Sequence, residues 1–414
     1  MANLLPAAVE ADHGGLPLLL LSADRPARLK DCGANQAVNQ EAFLLASCRW
    51  AGKGPADGLA QLAASAVEAL ADQAWAAALH SPPGAVRLNH PFEEPLHADG
   101  PLVQRLQQTL QARIAAPEAL PPLPAPAPAG EATVPSAAIT GLDPGQSGVI
   151  IAGPWRGRPS QWQAWRNSLH RWQQATGWPL LADPLSGLRG DPWLRPLLGY
   201  DLFLEPSVVP QPSQVLRLGP LPASRRLQRW LERFEGPQGL VSEGDPRPLD
   251  PLRSVQWQCA AGLTPWVAGQ ALTDEPPAPA SLELAAAWRQ AETLVAEALT
   301  VWSGAQEGLS EPLLAHRLSR LLPAGMPLML ANSSPVRDWE TFADGRAPHR
   351  PIVGFRGASG IDGTLSEACG LAIGWGAAVL VTGDLALLHD SNGWLWQQRL
   401  AQLGARLTVV LLDN

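Results

Sequence analysis

At 414 residues the chain is too long for one hydrophobic core and is sized for two or three domains. Hydrophobic residues make up 46% and charged residues 16%, a balance that excludes a disordered chain. The formal net charge of −8 argues against a nucleic-acid partner, because phosphate binding needs a basic face.

From the N-terminus, a helix-like stretch runs into Gly14-Gly15 and then into the apolar strand LPLLLLSAD. No strand leads into it, so the chain is expected to begin inside a domain. Leu16 to Leu21 is too short to span a bilayer. The N-terminus has neither the basic region nor the cleavage site of a signal peptide, so no membrane partner and a cytoplasmic location are expected. A polar loop, DRPARLKDCGANQAVNQ, precedes a long Ala-rich helix around 59–79 and a strand in GAVRLNHPFEEPL. The stretch 116–136 is Pro/Ala-rich and reads as a semi-rigid linker.

A second α/β unit opens with SGVIIAGPWRG, a strand entering a glycine turn. A Trp-rich helix near 160–175, then WPLLADPLSGLRG and QVLRLGPLPASRRLQRWL, continue the alternation, which predicts a parallel sheet of Rossmann type. This unit is expected to end near 275. A third opens with a helix over 282–303 and a second over 311–321, then the strand PLMLANSS. IVGFRGASGIDG, a Gly/Ala-rich helix around 364–374, the strand AAVLVTGD, a helix around 391–402 and the strand LTVVLLDN complete it. The run VVLL predicts a strand buried on both faces. No internal repeat of 20–50 residues is present, and the 17 tryptophans read mostly as packing residues. Cys32, Cys48, Cys259 and Cys369 form no CxxC pair, so reduced thiols are expected rather than a zinc site or a disulfide framework.

Two strand ends carry the chemistry. AAVLVTGD ends in Gly383-Asp384, and VVLLDN ends in Asp413-Asn414 some thirty residues later, room for one crossover helix. Adjacent parallel strands would place Asp384 and Asn414 side by side at the carboxyl edge of a sheet, where α/β proteins bind ligands. A carboxylate and a carboxamide oxygen make half of a site for Mg²⁺, which takes its other ligands from water and substrate phosphates. Gly383 would let a diphosphate approach the backbone. The competing reading is an Asp in a turn and an Asn capping a loop.

A GD strand end followed by an Asn-bearing strand end resembles the diphosphate motif of thiamine-diphosphate enzymes. With SADRPARLKDCGANQAVNQ, NSSPVRD, FRGASGIDGTLSEACG and GDLALLHDSNG, the chain resembles the 2-succinyl-5-enolpyruvyl-6-hydroxy-3-cyclohexene-1-carboxylate synthase (MenD) family of menaquinone and phylloquinone biosynthesis. The likeness runs from 1 to 414 and is weakest over 98–136 and 236–300. It implies an α/β fold of three doubly wound, mostly parallel-sheet domains, the first and last incomplete. Their expected extents are 1–115 for the latter part of a pyrimidine-binding domain, 116–136 for the linker, 137–275 for a central Rossmann-like domain and 276–414 for the first part of a diphosphate-binding domain.

The family decarboxylates 2-oxoglutarate and adds the succinyl carbanion to isochorismate, with thiamine diphosphate as electron sink and Mg²⁺, or Mn²⁺ in its place, as the metal. By resemblance Asp384 and Asn414 are metal ligands, and Gly360, Ile361, Gly383, Asp384, Leu385 and Asn414 contact the cofactor. Ile361 is the apolar prop of the bent cofactor, or else an ordinary core isoleucine. Asp413 stands where the family has Asn. Both substrates are dicarboxylates, which arginine forks suit. The implied substrate contacts are Arg25, Asn35 and Gln36, then Arg225 and Arg226, then Ser333, Arg337 and Arg356. Arg225-Arg226 opens an amphipathic helix, an electrostatically poor place for cations. His13 and His389 read as structural, and Glu10 and Glu41 as surface carboxylates.

The glutamate that activates the cofactor in this family lies upstream of the DRP loop, and no glutamate here matches it. The expectation is therefore a piece of such an enzyme with little activity alone. A homodimer or homotetramer is implied for the family. Another thiamine-diphosphate decarboxylase or carboligase, or a non-catalytic binding or assembly protein that kept the fold, are the alternatives.

Overall fold

The computed structural model describes residues 2–55, 62–93, 100–115, 141–205, 207–273 and 275–413. The expected linker over 116–136, residues 59–61 of the Ala-rich helix, and Asn414 lie outside the described residues. The chain divides into two compact units, Met1–Glu131 and Ala132–Asn414.

In the first unit α1 (Leu5–Gly14) leads to β1 (Leu18–Asp24), then α2 (Gln40–Phe43), β2 (Trp50–Lys53), α3 (Ala64–Leu79), β3 (Ala85–Pro91) and α4 (Gly100–Ala115). Gly15 stops α1 because it takes the left-handed conformation, at φ 68°, that a C-terminal cap needs. Its strands run parallel in the order β1-β3-β2. Ala8 and Ala11 of α1 pack with Leu20, Leu44 and Ala85 to form its core.

The second unit begins with β4 (Gly148–Ala152), α5 (Trp162–Thr176), β5 (Leu180–Ala182), α6 (Tyr200–Phe203), β6 (Gln214–Leu218), α7 (Arg225–Glu232), β7 (Gln238–Val241), β8 (Trp257–Cys259) and α8 (Leu263–Ala268). It continues through α9 (Pro279–Gly304), α10 (Glu311–Leu321), β9 (Leu328–Leu330), α11 (Ser334–Phe342), β10 (Ile352–Val353), α12 (Thr364–Trp375), β11 (Ala377–Gly383), α13 (Asp384–His389), α14 (Gln397–Gln402) and β12 (Arg406–Leu412). The strands form two parallel sheets, β5-β4-β6-β7-β8 and β10-β9-β11-β12.

The apolar runs of the five-stranded sheet are buried on both faces, as a helix-covered parallel sheet requires. Ile150 and Leu216 point into one cluster with Trp172, Trp178 and Trp266. Val149, Ile151 and Val215 point into the opposite cluster with Tyr200, Phe203 and Trp288. Leu284, Trp288 and Ala291 bring the first half of α9 into that second cluster. In the four-stranded sheet, Leu328, Leu330, Val379 and Val381 face one core, and Met329 and Leu380 the other.

The α/β class with parallel sheets is as expected, but some local readings change. The VVLL run is not buried on both faces. In the described order β12 is an edge strand, with Thr408 exposed and Leu411 46% exposed. The helix expected over 391–402 is a 3-10 turn at Ser391–Trp396 followed by α14. Several tryptophans are core, yet Trp375, Trp394 and Trp396 are exposed. All four cysteines are free thiols.

Candidate functional site

In each sheet of the second unit the first strand has later neighbours on both sides, which makes a crevice at the carboxyl edge where ligand-binding loops gather. In the four-stranded sheet this switch point lies between the ends of β9 and β11. The loop after β9 carries Ser333, and Asp384 opens α13 directly after β11. Asn332 Nδ2 donates to the Gly360 carbonyl at 2.7 Å, tying the end of β9 to the loop that follows β10. That loop carries Arg356, Gly360 and Ile361, and Thr364 fastens its end by donating to the Ile361 carbonyl at 2.9 Å. Ser333, Arg356, Gly360 and Ile361 thus occupy loops, and Gly383, Asp384 and Leu385 the junction of β11 with α13, at one sheet edge.

Ser333 caps α11 with φ 76° and ψ −127°, a conformation that costs a non-glycine residue of order 1–3 kcal/mol. Its carbonyl accepts from Arg337 Nε at 2.9 Å, which brings these two candidates together. β11 and β12 pair in parallel, with Gly383 opposite Leu412. One residue beyond that pair stand Asp384 and Asp413. Asn414, the other proposed ligand, is outside the described residues.

The residues at this edge fit a cation and a diphosphate. The half-buried Asp384 carboxylate follows Gly383 directly and has no hydrogen-bond or ion-pair partner among the described residues. A Cβ placed on Gly383 would meet nothing within 4 Å, so the space beside the carboxylate is open. An uncommitted hard-oxygen ligand in open space is what a Mg²⁺ bound to phosphate oxygens requires. Leu385, 61% exposed, offers apolar surface beside it. His389 is exposed near Asp362, at 3.7 Å.

Arg356 lies within the second unit near Asp183, a fully buried carboxylate at the end of β5. Its Nε is buried without a hydrogen-bond partner, and such groups call for explanation. Burial pushes the Asp183 carboxyl up, while the Leu185 N–H, then Arg356 and Arg189, pull it down. Burial, followed by the charge of Asp183, also holds Glu340 well above the usual carboxylate range. Tyr200 donates its hydroxyl to Glu340, and Arg189 donates to the Trp339 and Glu340 carbonyls at 3.1 and 3.0 Å. Apart from Arg356, nothing in the sequence singled out this buried network. Its members lie 140 or more residues apart in several cases, and each alone is an ordinary polar residue.

Arg225 and Arg226 open α7, as expected, and both are exposed. Ser224 caps the helix, its Oγ accepting from Leu227 N at 2.9 Å. Arg226 also lines a cleft of about 510 Å³ with Arg229, Trp230 and Arg233.

The first unit holds Arg25, Asn35 and Gln36. Arg25 Nη2 donates to Gln36 Oε1 at 3.1 Å, while Asn35 is exposed. Asp24 organises this strand end. It accepts from Arg25 N at 2.8 Å and Asn89 Nδ2 at 2.7 Å, and pairs with Lys30 at 2.8 Å. Burial works against its charge, but the bonds from Lys30 and Asn89 outweigh it and keep the carboxyl below its ordinary value. Glu41 lies between Lys30 and Lys53, which hold it ionised.

A family model for the middle domain of thiamine pyrophosphate enzymes matches residues 144–330. Three proteins named 2-succinyl-5-enolpyruvyl-6-hydroxy-3-cyclohexene-1-carboxylate synthase are similar to the chain. The protein of Synechococcus sp. (strain RCC307) is 51% identical over all of this chain and 69% of its own length. That of Synechococcus sp. (strain CC9605) is 50% identical over 95% of this chain and 67% of its own. That of Parasynechococcus marenigrum (strain WH8102) is 50% identical over all of this chain and 72% of its own. No helix among the described residues is long and apolar enough to cross a membrane. With identity at this level along its whole length, the chain belongs to the 2-succinyl-5-enolpyruvyl-6-hydroxy-3-cyclohexene-1-carboxylate synthase family of thiamine-diphosphate-dependent transferases.

Proposed function

We infer that the protein joins 2-oxoglutarate, with loss of CO₂, to isochorismate, as a step of menaquinone or phylloquinone biosynthesis. The observation that carries this reading is about 50% identity, along the whole chain, to several synthases of that name. Asp384, without a partner among the described residues and at a switch-point edge, supports it.

Bound thiamine diphosphate supplies an electron sink for the pair released when the carboxylate leaves. In this reading Asp384 and Asn414 hold the Mg²⁺, or Mn²⁺, that neutralises the diphosphate. Gly383 leaves its oxygens room, and Leu385, Gly360 and Ile361 line the cofactor. Ser333, Arg337 and Arg356, with Arg225 and Arg226, bind and orient substrate carboxylates. Arginine suits that task because its planar fork donates two charge-assisted hydrogen bonds to one carboxylate. Arg25, Asn35 and Gln36 are proposed as substrate contacts as well. The division of the chain near 115, 137 and 275, a cytoplasmic location and a homodimeric or homotetrameric state belong to this proposal.

The test is a substrate competition. Protein that carries the family's activating glutamate is given thiamine diphosphate, Mg²⁺ and 2-oxoglutarate or pyruvate, each with isochorismate, and product and CO₂ are measured. Turnover of 2-oxoglutarate and not pyruvate is the expected result. A preference for pyruvate would overturn the assignment in favour of another thiamine-diphosphate carboligase.

A further inference from the structure

We infer that Asp201 is a positioning residue that sets the start of α7 against α11, and through them the side chains of Arg226 and Arg337. This rests on the reading of those arginines as substrate contacts. Asp201 sits in α6 and is 7% exposed. One of its carboxylate oxygens accepts from Ser224 Oγ and the other from Thr341 Oγ1, the latter at 2.6 Å. Its main-chain carbonyl accepts from Arg226 Nη1 at 2.9 Å. Three elements distant in sequence therefore meet on one residue.

The hydrogen-bond roles leave little freedom. The Ser224 hydroxyl donates to Asp201 while its lone pair accepts the Leu227 N–H that begins α7. Ser224 is itself buried, at 4% exposure, so water cannot replace the carboxylate. Asp183 takes the adjacent Ala223 N–H at 3.2 Å, so both residues before Arg225 are fixed by buried carboxylates. On α11, Thr341 lies four residues after Arg337, hence on the same face and one turn away. Removing the Asp201 carboxylate frees the α7 cap and unties α11 together. The two arginine-bearing segments then lose their common reference point. An interaction made equally in the ground and transition states affects KM more than kcat, and carboxylate binding by fixed arginines is of that kind.

The experiment compares Asp201→Ala, Arg226→Ala and the double variant, with Asp201→Asn and Thr341→Val as milder changes. In protein that carries the activating glutamate, KM and kcat for 2-oxoglutarate and isochorismate are read, with amide exchange over residues 225–228. Asp201→Ala is expected to raise KM for at least one substrate about tenfold, change kcat less than threefold and speed exchange at 225–228. The double variant should lose less than the sum of the two single losses, because part of the Asp201 effect acts through Arg226 and the rest through Arg337. Asp201→Asn should restore most of the loss, since an amide fills the same space with one acceptor and one donor. Fully additive losses, or unchanged exchange at 225–228, would overturn the inference. Faster exchange with KM untouched in both Asp201→Ala and Arg226→Ala would instead defeat the substrate reading of Arg226. If Asp201→Ala does not fold, unchanged KM and exchange in both Asp201→Asn and Thr341→Val also overturn it.

Discussion

The side-chain amide of Asn332 donates to the Gly360 carbonyl at 2.7 Å, joining the end of β9 to the loop after β10. Asn332 is 8% exposed, so this bond has no ready replacement from solvent. Gly360 and Ile361 are the loop's proposed cofactor contacts, and Ser333 is the next residue after Asn332. Asn332→Ala is expected to weaken thiamine-diphosphate binding about three- to tenfold, the worth of one buried hydrogen bond. Titration calorimetry with cofactor and Mg²⁺ measures it, and an unchanged dissociation constant would detach this bond from cofactor binding.

Asp384 gives a sharper test, because its carboxylate has no partner to lose among the described residues. Asp384→Ala should leave the melting temperature of the free protein nearly unchanged. Cofactor with Mg²⁺ at a hundredfold excess over its dissociation constant stabilises a folded protein by about 2.7 kcal/mol. That gain should appear in the parent and vanish in the variant. A full ligand-induced shift in Asp384→Ala would remove Asp384 from the metal site.

Asp338, beside Arg337 on α11, predicts a pH dependence of stability. Burial, and next the charge of Glu311, push its carboxyl up to about 6, against the pull of Arg337. The unfolded chain releases this proton near 3.8 and the folded one near 6. Between those values the folded state binds more protons, so the contribution of Asp338 to stability falls as pH rises through the window and is level above it. Asp338→Asn carries no charge and escapes the loss. In urea titrations the variant should gain on the parent from pH 4 to 6 and hold a constant advantage above that. A pH-independent difference would show that Asp338 titrates normally.

Much of the second unit is legible in its sequence because strands buried on both faces read as unbroken apolar runs. GVIIA and AAVLVTG are such runs, and both are central strands. The short strands β2, β7 and β8 are not legible. WAGK, QGLV and WQC carry too few apolar residues to show a period. β12 misleads for a related reason, since an apolar composition does not reveal an edge position. Arg25 with Gln36, and Ser333 with Arg337, are legible as candidates because their motifs keep them close in the chain. Asp183, Asp201 and Glu340 are not, because tertiary packing alone brings them together. Ser224 and Asp201 are 23 residues apart, and Asp201 and Thr341 are 140.

The switch point of the five-stranded sheet yields the last prediction. β4 and β6 end side by side, at Gly153 and at Gly219-Pro220. A Cβ on Gly153 would fall 1.7 Å from the Pro220 carbonyl oxygen, an overlap with backbone that no side-chain rotation relieves. Gly153→Ala must therefore push the β6 loop away from β4. That loop runs through Ala223 and Ser224 to Arg225 and Arg226, so the shift is directed at proposed substrate contacts. Overpacking of this kind costs about 1–3 kcal/mol. The expected outcome is a lower melting temperature together with a raised KM for the dicarboxylate substrates. Gly404→Ala, at φ 65° with open space around it, serves as the control, losing stability through backbone strain alone. Equal KM values in the two variants would mean that the β6 loop does not set substrate affinity.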